Sequence, residues 1–289
     1  KETHLGRKRQ IDQSACNKDF SCLEGFCPSF VSIEGAVLKK AIPNEMIIPH
    51  IKNPQIPKIK QTFNIVITGV GGTGVVTIGA LLSMAAHLEG KGVGVMEMAG
   101  LAQKGGAVHI HCRIAEDKKN INSIRVAYEE AHSLIGGELM VTAGEKTLAL
   151  LKRNETKVVC ASNEANAGEF ALNRNFSLPT DSMRLAISAK VGEANVDFFD
   201  PIAISKAILG DSIYANVLLL GAAWQKGLIP LSIKALKRAI ELNKAGVEGN
   251  LRAFDLGRWV AIDPYFLNAK LKKDEAMLSE LGDLDSVIA

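Results

Sequence analysis

A glycine-rich loop at residues 69–74 is one candidate binding site in this sequence. It follows the pattern G-x-G-x-x-G, with an apolar run before it and a second apolar run after it. Glycines at these spacings let backbone N–H groups approach an anion at the positive N-terminal end of a helix. The same glycines can instead serve only to let a strand and a helix pack closely. The candidate anion-binding residues are Gly69, Gly71, Gly72, Thr73 and Gly74.

An acidic residue after the next apolar run gives the loop a more specific interpretation. Glu97 stands 28 residues after Gly69, whereas dinucleotide sites usually place the ribose-binding acid about 20 residues further on. The pattern therefore predicts either a site for NAD or FAD or a close strand–helix contact without a ligand. The glycine loop alone does not choose between them.

Three cysteines near the start of the sequence form a second candidate site, for a metal. Cys16, Cys22 and Cys27 are separated by five and four residues, and a proline follows the third. Thiolates are the ligands of iron–sulfur clusters, and a Cys-Pro ending is familiar from ferredoxins. A [4Fe–4S] cluster takes four ligands, so we expect the missing ones to lie before Lys1. Zinc with His4 as a fourth ligand, or no metal at all, are the alternatives.

Two further pairs of reactive residue types fall inside predicted strands. We expect Cys112 and Cys160 to be buried and inert, because free cysteine behaves as a small apolar residue in a core. His109 and His111 are two residues apart, so their side chains face the same side of the sheet. They can form a metal pair or contact an active site, but we favour packing of one sheet face against a partner domain.

The elements that must position these residues are strands alternating with helices. Apolar runs of strand length occur at residues 64–68, 93–98, 107–114, 157–161 and 196–199. Helical patterns occur at residues 75–88, 201–209, 214–226 and 232–243, and residues 126–151 hold a short strand, a turn and a helix. This alternation predicts a Rossmann-like α/β domain with three layers (α/β/α) and a mainly parallel sheet, preceded by a short cysteine-containing segment.

Composition excludes two classes of partner. The net charge of +3 over 289 residues is too small to predict nucleic-acid binding. Residues 61–88 are uncharged and long enough to cross a bilayer, but their five glycines indicate a strand, a turn and a helix instead. The basic start is not followed by an apolar leader. We therefore expect a cytoplasmic protein that contacts neither membrane nor nucleic acid.

A second signature follows the predicted strand at residues 93–98. Lys104 precedes Gly105 and Gly106 in a loop of mostly small and polar residues, and the next predicted strand ends in Arg113. A nucleotide-binding site does not require this combination. With the glycine loop before it, this stretch resembles the gamma domain of 2-oxoacid:ferredoxin oxidoreductases.

Two later stretches carry the same resemblance in the same order. Asn216 lies in the stretch Tyr-Ala-Asn-Val-Leu-Leu-Leu-Gly, and Asn250 is followed by Ala-Phe and then Gly within residues 250–257. The four motifs span residues 62–259, and together they are more specific than one glycine loop. The cysteine-bearing residues before them look like the segment that precedes the gamma domain in the long fused indolepyruvate ferredoxin oxidoreductases.

The resemblance implies a part in the oxidative decarboxylation of a 2-oxoacid, such as indolepyruvate or another aryl pyruvate. In this family coenzyme A accepts the acyl group, thiamine diphosphate with Mg²⁺ supplies the decarboxylation chemistry, and iron–sulfur clusters pass electrons to ferredoxin. The sequence lacks the Gly-Asp-Gly and Asn-Asn motif of thiamine diphosphate sites. The resemblance therefore implies no catalytic residue in this chain, which is not active alone and works with thiamine-binding domains or subunits.

The same resemblance assigns the residues that face a ligand. It implies that the glycine loop, Lys104, Gly105 and Gly106 lie towards an anion such as coenzyme A. Asn216 lies in an otherwise apolar helix, so we expect its amide to be hydrogen-bonded and either to fix a loop or to touch a cofactor. The sequence departs from many gamma subunits at two positions, with Lys104 where they have Arg and Thr in the glycine loop where they have Gln. Pairing of an anion by Lys is less directional than pairing by Arg.

The expected organisation has four parts: residues 1–40 as the tail of a ferredoxin-like iron–sulfur segment, 41–61 as a Pro-rich linker, 62–262 as the gamma-type domain, and 263–289 as a C-terminal helical tail. We expect the polypeptide to continue before its first residue. Two other functions compete with this one. The first is a free-standing oxidoreductase that binds NAD or FAD, and the second is a non-catalytic assembly domain that only buries surface against partners.

Overall fold

The computed structural model describes residues 47–99, 106–163 and 177–264, together with His4 and Gly6. The three clustered cysteines, most of the predicted iron–sulfur segment and most of the predicted C-terminal tail lie outside these residues.

One mixed sheet organises the described residues. Its strands are β1 (Phe63–Val70), β2 (Gly92–Ala99), β3 (Ala107–Ala115), β4 (Ser133–Gly136), β5 (Lys157–Ala161) and β6 (Val196–Phe199). The strand order is β2-β3-β1-β4-β5-β6. The pairings from β1 through β4 and β5 to β6 are parallel, whereas β3 pairs antiparallel with both β1 and β2. The predicted α/β fold with a mainly parallel sheet is confirmed, and β3 is the exception to its parallel direction.

Local sequence explains the central position of β1 and the reversed direction of β3. All eight residues of β1 are buried, as expected for a strand that is covered on both faces. Only residues 100–106 join β2 to β3. A parallel crossover needs about a dozen residues or more, so a connection of this length makes β3 antiparallel to β2.

Helices cover both faces of the sheet. They are α1 (Val75–Leu88), α2 (Leu139–Thr142), α3 (Glu145–Leu148), α4 (Thr180–Val191), α5 (Pro201–Leu209), α6 (Ala215–Gln225), α7 (Ile233–Asn243) and α8 (Val247–Ile262). The sequence analysis did not predict α4 and α8, and it expected one helix where the short α2 and α3 stand. No helix within the described ranges combines the length and the apolarity needed to cross a membrane.

The two faces of the sheet bury separate cores. Ile65 and Ile67 of β1 face a large core that contains α1 and α5 to α8, while Val66 faces a smaller one with α2 and α4. Successive strand residues point to opposite faces, so β1 contributes to both cores. This is the three-layer arrangement that the alternation of strands and helices predicts.

Helices α6 and α8 approach each other closely through two glycines. A Cβ atom on Gly221 would lie 2.0 Å from the carbonyl oxygen of Phe254, and one on Gly257 would lie 1.9 Å from that of Leu218. No side chain fits at these distances. Glycine is therefore required at both positions for the observed packing.

Residues 48–61, which we call the strap, lie against the domain. Ile48 and Ile59 pack on the larger core. The side chain of Arg258 donates hydrogen bonds of 2.9 Å to the carbonyl oxygen of Ile51 and to Oδ1 of Asn53. Because Arg258 is only 6% exposed, these bonds are made in a largely desolvated position, where they hold the strap firmly.

Candidate functional site

The glycine loop lies at the point where the connectivity of the sheet reverses. β1 and β4 are neighbours; the chain leaves β1 towards α1 and β2 on one side of the sheet and leaves β4 towards β5 and β6 on the other. The carboxyl ends of these parallel strands open at the same edge of the sheet. In open α/β sheets a crevice at such a switch point is the usual place for a ligand.

Backbone contacts fix the shape of the glycine loop. Gly71 donates its N–H to the carbonyl oxygen of Gly106 at 2.8 Å, which ties the loop to the start of β3. The N–H and the hydroxyl of Thr73 both donate to the carbonyl oxygen of Val70, at 3.2 and 2.7 Å. Gly72 has φ 88°, a left-handed conformation that glycine adopts without strain.

Close packing explains two other glycines of the loop. A Cβ on Gly69 would lie 2.3 Å from Cγ2 of Val75, so this glycine lets β1 and α1 meet. Gly74 has φ 80°, and a Cβ there would lie 2.6 Å from Nδ2 of Asn216. Both the packing role and the anion-binding role that the sequence analysis considered are therefore compatible with the loop.

The first turn of α1 presents donors at the crevice. Gly74 precedes α1 without a side-chain cap, and the first turn of the helix contains no acidic residue. Within the described ranges, the N–H groups of Gly72, Gly74 and Val75 meet no acceptor. Unpaired N–H groups and the positive end of the helix dipole both favour an anion at this position.

Asn216 holds the loop from the side. It lies in the first turn of α6, and its Nδ2 donates a short hydrogen bond to the carbonyl oxygen of Thr73. Of the two roles expected for Asn216, fixing a loop or touching a cofactor, the first agrees with this contact between its partly buried amide and the glycine loop. Lys104 and Gly105 lie outside the described residues, and Gly106 contacts the loop through its carbonyl group.

A buried carboxylate follows β4 at the same edge of the sheet as the glycine loop, and sequence reasoning missed it. Glu138 is 1% exposed, and its side chain accepts the N–H groups of Met140 and Val141 at 2.7 and 2.8 Å. Burial raises the pKa of Glu138, although these two hydrogen bonds act in the opposite direction. The signal was a Gly-Gly-Glu sequence directly after a predicted strand, where a carboxylate caps the following helix.

Hydroxyl groups connect the residues that follow β4 to β1. Oγ1 of Thr68 lies 2.8 Å from Oγ1 of Thr142, and Gly137 donates its N–H to the carbonyl oxygen of Thr68 at 2.7 Å. Thr68 and Thr142 are both fully buried. Buried polar groups that are all hydrogen-bonded make a region rigid, so the crevice is preorganised on its β4 side.

The histidine pair on β3 is engaged in structural contacts. Nε2 of His109 lies 3.1 Å from Oγ1 of Thr147, and Nδ1 of His111 accepts the N–H of Val126 at 2.9 Å. Burial lowers the pKa of both histidines, to about 4 for His111. No cluster of metal-ligating side chains occurs in the part of the chain that the structure describes. Both histidines therefore contact residues of this chain, and packing of this sheet face against a partner domain stays a prediction.

Glu97 does not occupy the position of a ribose-binding acid. In dinucleotide-binding folds that acid ends the strand next to β1, but here β3 lies between β1 and β2. Two strand spacings separate β2 from β1, about 10 Å. The side chain lies near α1, since a Cβ on Gly79 would be 4.0 Å from Oε1 of Glu97. The strand order therefore disfavours a dinucleotide site of the ordinary kind.

The two cysteines within the described residues lie in the core. Cys112 and Cys160 are 0% exposed, and burial raises the pKa of each thiol to about 12. This burial agrees with the expectation that both are inert. The predicted cluster ligands Cys16, Cys22 and Cys27 lie outside the described residues.

Comparison with known proteins places this architecture in a family. The chain belongs to the pyruvate ferredoxin/flavodoxin oxidoreductase family, whose model matches residues 64–259. It is 29% identical over 212 residues to the indolepyruvate oxidoreductase subunit IorB of Pyrococcus horikoshii, covering 68% of this chain and 95% of that subunit. The IorB subunit of Thermococcus kodakarensis is 28% identical over 201 residues, with coverage of 68% and 95%.

A gamma subunit is among the solved structures to which this chain is similar. The keto/oxoacid ferredoxin oxidoreductase gamma subunit of Geobacter sulfurreducens is 21% identical with a TM-score of 0.48, covering 69% of this chain and 98% of that one.

Proposed function

We propose that this chain is the gamma-type component of a 2-oxoacid:ferredoxin oxidoreductase that acts on indolepyruvate or a related aryl pyruvate. The observation that carries the proposal is the family match over residues 64–259. The IorB relatives, which are named as subunits of an indolepyruvate oxidoreductase, support the substrate class. The reaction converts the 2-oxoacid to an acyl-CoA and carbon dioxide, with two electrons passed to ferredoxin.

The catalytic centre belongs to partner domains or subunits in this proposal. Thiamine diphosphate, held with Mg²⁺ by those partners, supplies the decarboxylation chemistry. Two titratable side chains near this edge of the sheet are already engaged, since Glu138 caps α2 and His109 contacts Thr147. The chain's own part is binding and orientation, and it does not act alone.

The crevice at the switch point is the proposed contact for coenzyme A. The N–H groups at the start of α1 suit the phosphates of this co-substrate, and Lys104 adds a positive charge from the adjoining loop. Asn216 holds the loop by its hydrogen bond to the carbonyl oxygen of Thr73. In this role Asn216 is a positioning residue rather than a ligand of the co-substrate.

Cys16, Cys22 and Cys27 are the proposed ligands for a [4Fe–4S] cluster that is completed by cysteines elsewhere in the assembled enzyme. Their thiolates would supply three of the four cluster ligands. The cluster would pass electrons one at a time towards ferredoxin. The proposed location of the enzyme is the cytoplasm, where free thiols stay reduced.

Reduction of ferredoxin by the complete enzyme tests the proposal. We expect indolepyruvate and coenzyme A to be required together, and reduction to stop when the preparation lacks this chain. Addition of NADH or FAD in place of ferredoxin distinguishes the competing function, because a free-standing dinucleotide oxidoreductase would reduce or oxidise those cofactors without partners. Turnover that persists without this chain would leave it only an assembly role.

A further inference from the structure

A groove of about 1060 Å³ opens at the edge of the sheet opposite the glycine loop. The strap forms one wall, and the residues that lead into β4 and β5 form the other. Phe63 and His132 lie at its floor, with their rings stacked at a centroid distance of 4.9 Å. The site described above uses none of these residues.

Lysines without partners give this groove its charge. Lys58, Lys60 and Lys157 line it, and none of them pairs with a carboxylate in the part of the chain that the structure describes. Two other lysines of the lining are neutralised, Lys152 by Glu155 at 2.8 Å and Lys226 by an aspartate of β6 at 2.7 Å. Glu130 also lines the groove and has no basic partner within the described residues, so the three unpaired lysines leave the groove with a net positive charge.

The floor of the groove is uncharged and partly apolar. Nδ1 of His132 accepts the N–H of Asn64 at 3.0 Å, and burial lowers the pKa of the imidazole. The ring is therefore neutral near pH 7, and its Nε2–H is a donor. Pro54, Ile56 and Pro57 add apolar surface from the strap. A segment with apolar residues on one side and carboxylates on another matches this combination.

The sequence of this chain contains such a segment at residues 274–289. It holds no Lys or Arg, and its carboxylates are Asp274, Glu275, Glu280, Asp283 and Asp285. Met277, Leu281, Leu284 and Ile288 are spaced by four, three and four residues, the spacing of one helical face. This pattern predicts an acidic amphipathic helix.

The end of α8 lies close enough for this segment to reach the groove. Arg258, one turn before the end of α8, donates to Oε1 of Gln225 at 3.0 Å, and Gln225 lines the groove. Eleven residues lie between Ile262 and Asp274, and a chain of this length can span about 36 Å when extended. We propose that residues 274–289 dock in this groove, with their carboxylates on the unpaired lysines and their apolar face on the strap.

Carbodiimide cross-linking of the full chain tests this proposal, because it joins a lysine to a carboxylate only where the two are in contact. We expect links from Lys58, Lys60 or Lys157 to the five carboxylates of residues 274–289, in the monomer. Links that appear only between two copies, or that reach exposed Lys234 as often as the groove lysines, would overturn the proposal.

Two triple variants provide a matched comparison of hydrogen exchange in residues 274–289. Replacing Lys58, Lys60 and Lys157 by Ser should speed hydrogen exchange of the backbone amides of residues 274–289 by about tenfold. This is the factor that three exposed ion pairs supply together. Replacing Lys118, Lys119 and Lys234 by Ser removes the same charge elsewhere and should leave the exchange unchanged. Equal exchange rates in the two variants would contradict docking by this chain's own segment and leave the groove to an acidic partner protein.

Discussion

Asn216 donates the hydrogen of its side-chain amide to the carbonyl oxygen of Thr73, so that the first turn of α6 holds the glycine loop in place. The two residues are 143 positions apart in the sequence. This contact between residues far apart in the sequence connects the larger core, in which α6 is buried, to the crevice at the switch point. The stability of that core and the shape of the crevice are therefore linked through one hydrogen bond.

Replacement of Asn216 by Ala should loosen the loop. The change removes a partly buried hydrogen bond, and we expect the free energy of unfolding to fall by about 1 kcal/mol. Urea denaturation of the full chain measures this change. Asn250→Ala is a matched control, because it removes an exposed amide bond to the carbonyl oxygen of Ala245. A larger loss of unfolding free energy in Asn250→Ala than in Asn216→Ala would contradict the role of Asn216 in holding the glycine loop.

Substitution of Gly257 by Ala should disrupt the contact between α6 and α8. The added methyl group would lie 1.9 Å from the carbonyl oxygen of Leu218, and a clash with backbone should cost about 3 kcal/mol or more. Thermal unfolding measures the effect. Gly90→Ala is the control, because its φ is 69° but no atom lies within 4 Å of the added carbon. Equal losses in the two variants would contradict the close packing of α6 on α8 as the reason for glycine at position 257.

Stability should fall in mild acid because of His111. Burial lowers the pKa of this histidine from 6.5 to about 4, so the unfolded chain binds the proton more readily than the folded one. The contribution is fully present above pH 6.5 and is lost as the pH falls towards 4. For this residue alone we expect a loss of about 2 kcal/mol by about pH 5.

Urea denaturation at several pH values measures this dependence. His111→Gln is the informative variant, because an amide oxygen can still accept the N–H of Val126 but does not titrate. The variant should show a flatter dependence of stability on pH between 7 and 5. If the slope is the same in both proteins, another group is responsible.

Arg258 should hold the strap in place. Its guanidinium donates to the backbone of Ile51, to Asn53 and to Gln225, and it lies 5.0 Å from the ring centroid of Trp224. Arg258→Met keeps much of the length of the side chain but removes the donors. We expect the free energy of unfolding to fall by about 3 kcal/mol and trypsin to cleave sooner after the lysines of the strap.

Arg238→Met is the matched control for the strap. Arg238 is exposed and pairs only with Glu241 in the described part of the chain, at 2.7 Å. Loss of an exposed pair costs less than about 1 kcal/mol, and cleavage of the strap should not change. Limited proteolysis followed by mass spectrometry distinguishes the two variants, and identical cleavage patterns would contradict the role of Arg258.

Much of the architecture followed from local patterns. The apolar run of β1, the glycine loop and the Pro-started helix α5 are encoded by neighbouring residues, and each was predicted close to its observed bounds. The direction of β3 could also have been deduced, because residues 100–106 are too few for a parallel crossover. The domain boundaries and the assignment of residues to a ligand remain predictions.

What the sequence did not reveal depends on contacts between distant residues. Helix α8 was missed because Gly249 and Gly257 weaken its helical pattern, yet Gly257 is needed where α8 meets α6. Glu138 was missed because a carboxylate is seldom buried, and only the following N–H groups explain its position. The docking of the strap depends on the carbonyl oxygen of Ile51 and Oδ1 of Asn53, each more than 200 residues from Arg258, which no local pattern encodes.

The KM for coenzyme A in the complete enzyme carrying Lys104→Ala tests the central claim most directly. If the glycine loop and Lys104 face this co-substrate, the KM should rise by about tenfold, the effect of losing one charge-assisted contact. The value of kcat should change little, and Lys234→Ala, on the exposed side of α7, should leave both values unchanged. A KM for coenzyme A that is the same in Lys104→Ala as in the unmodified enzyme would contradict the proposed position of the co-substrate.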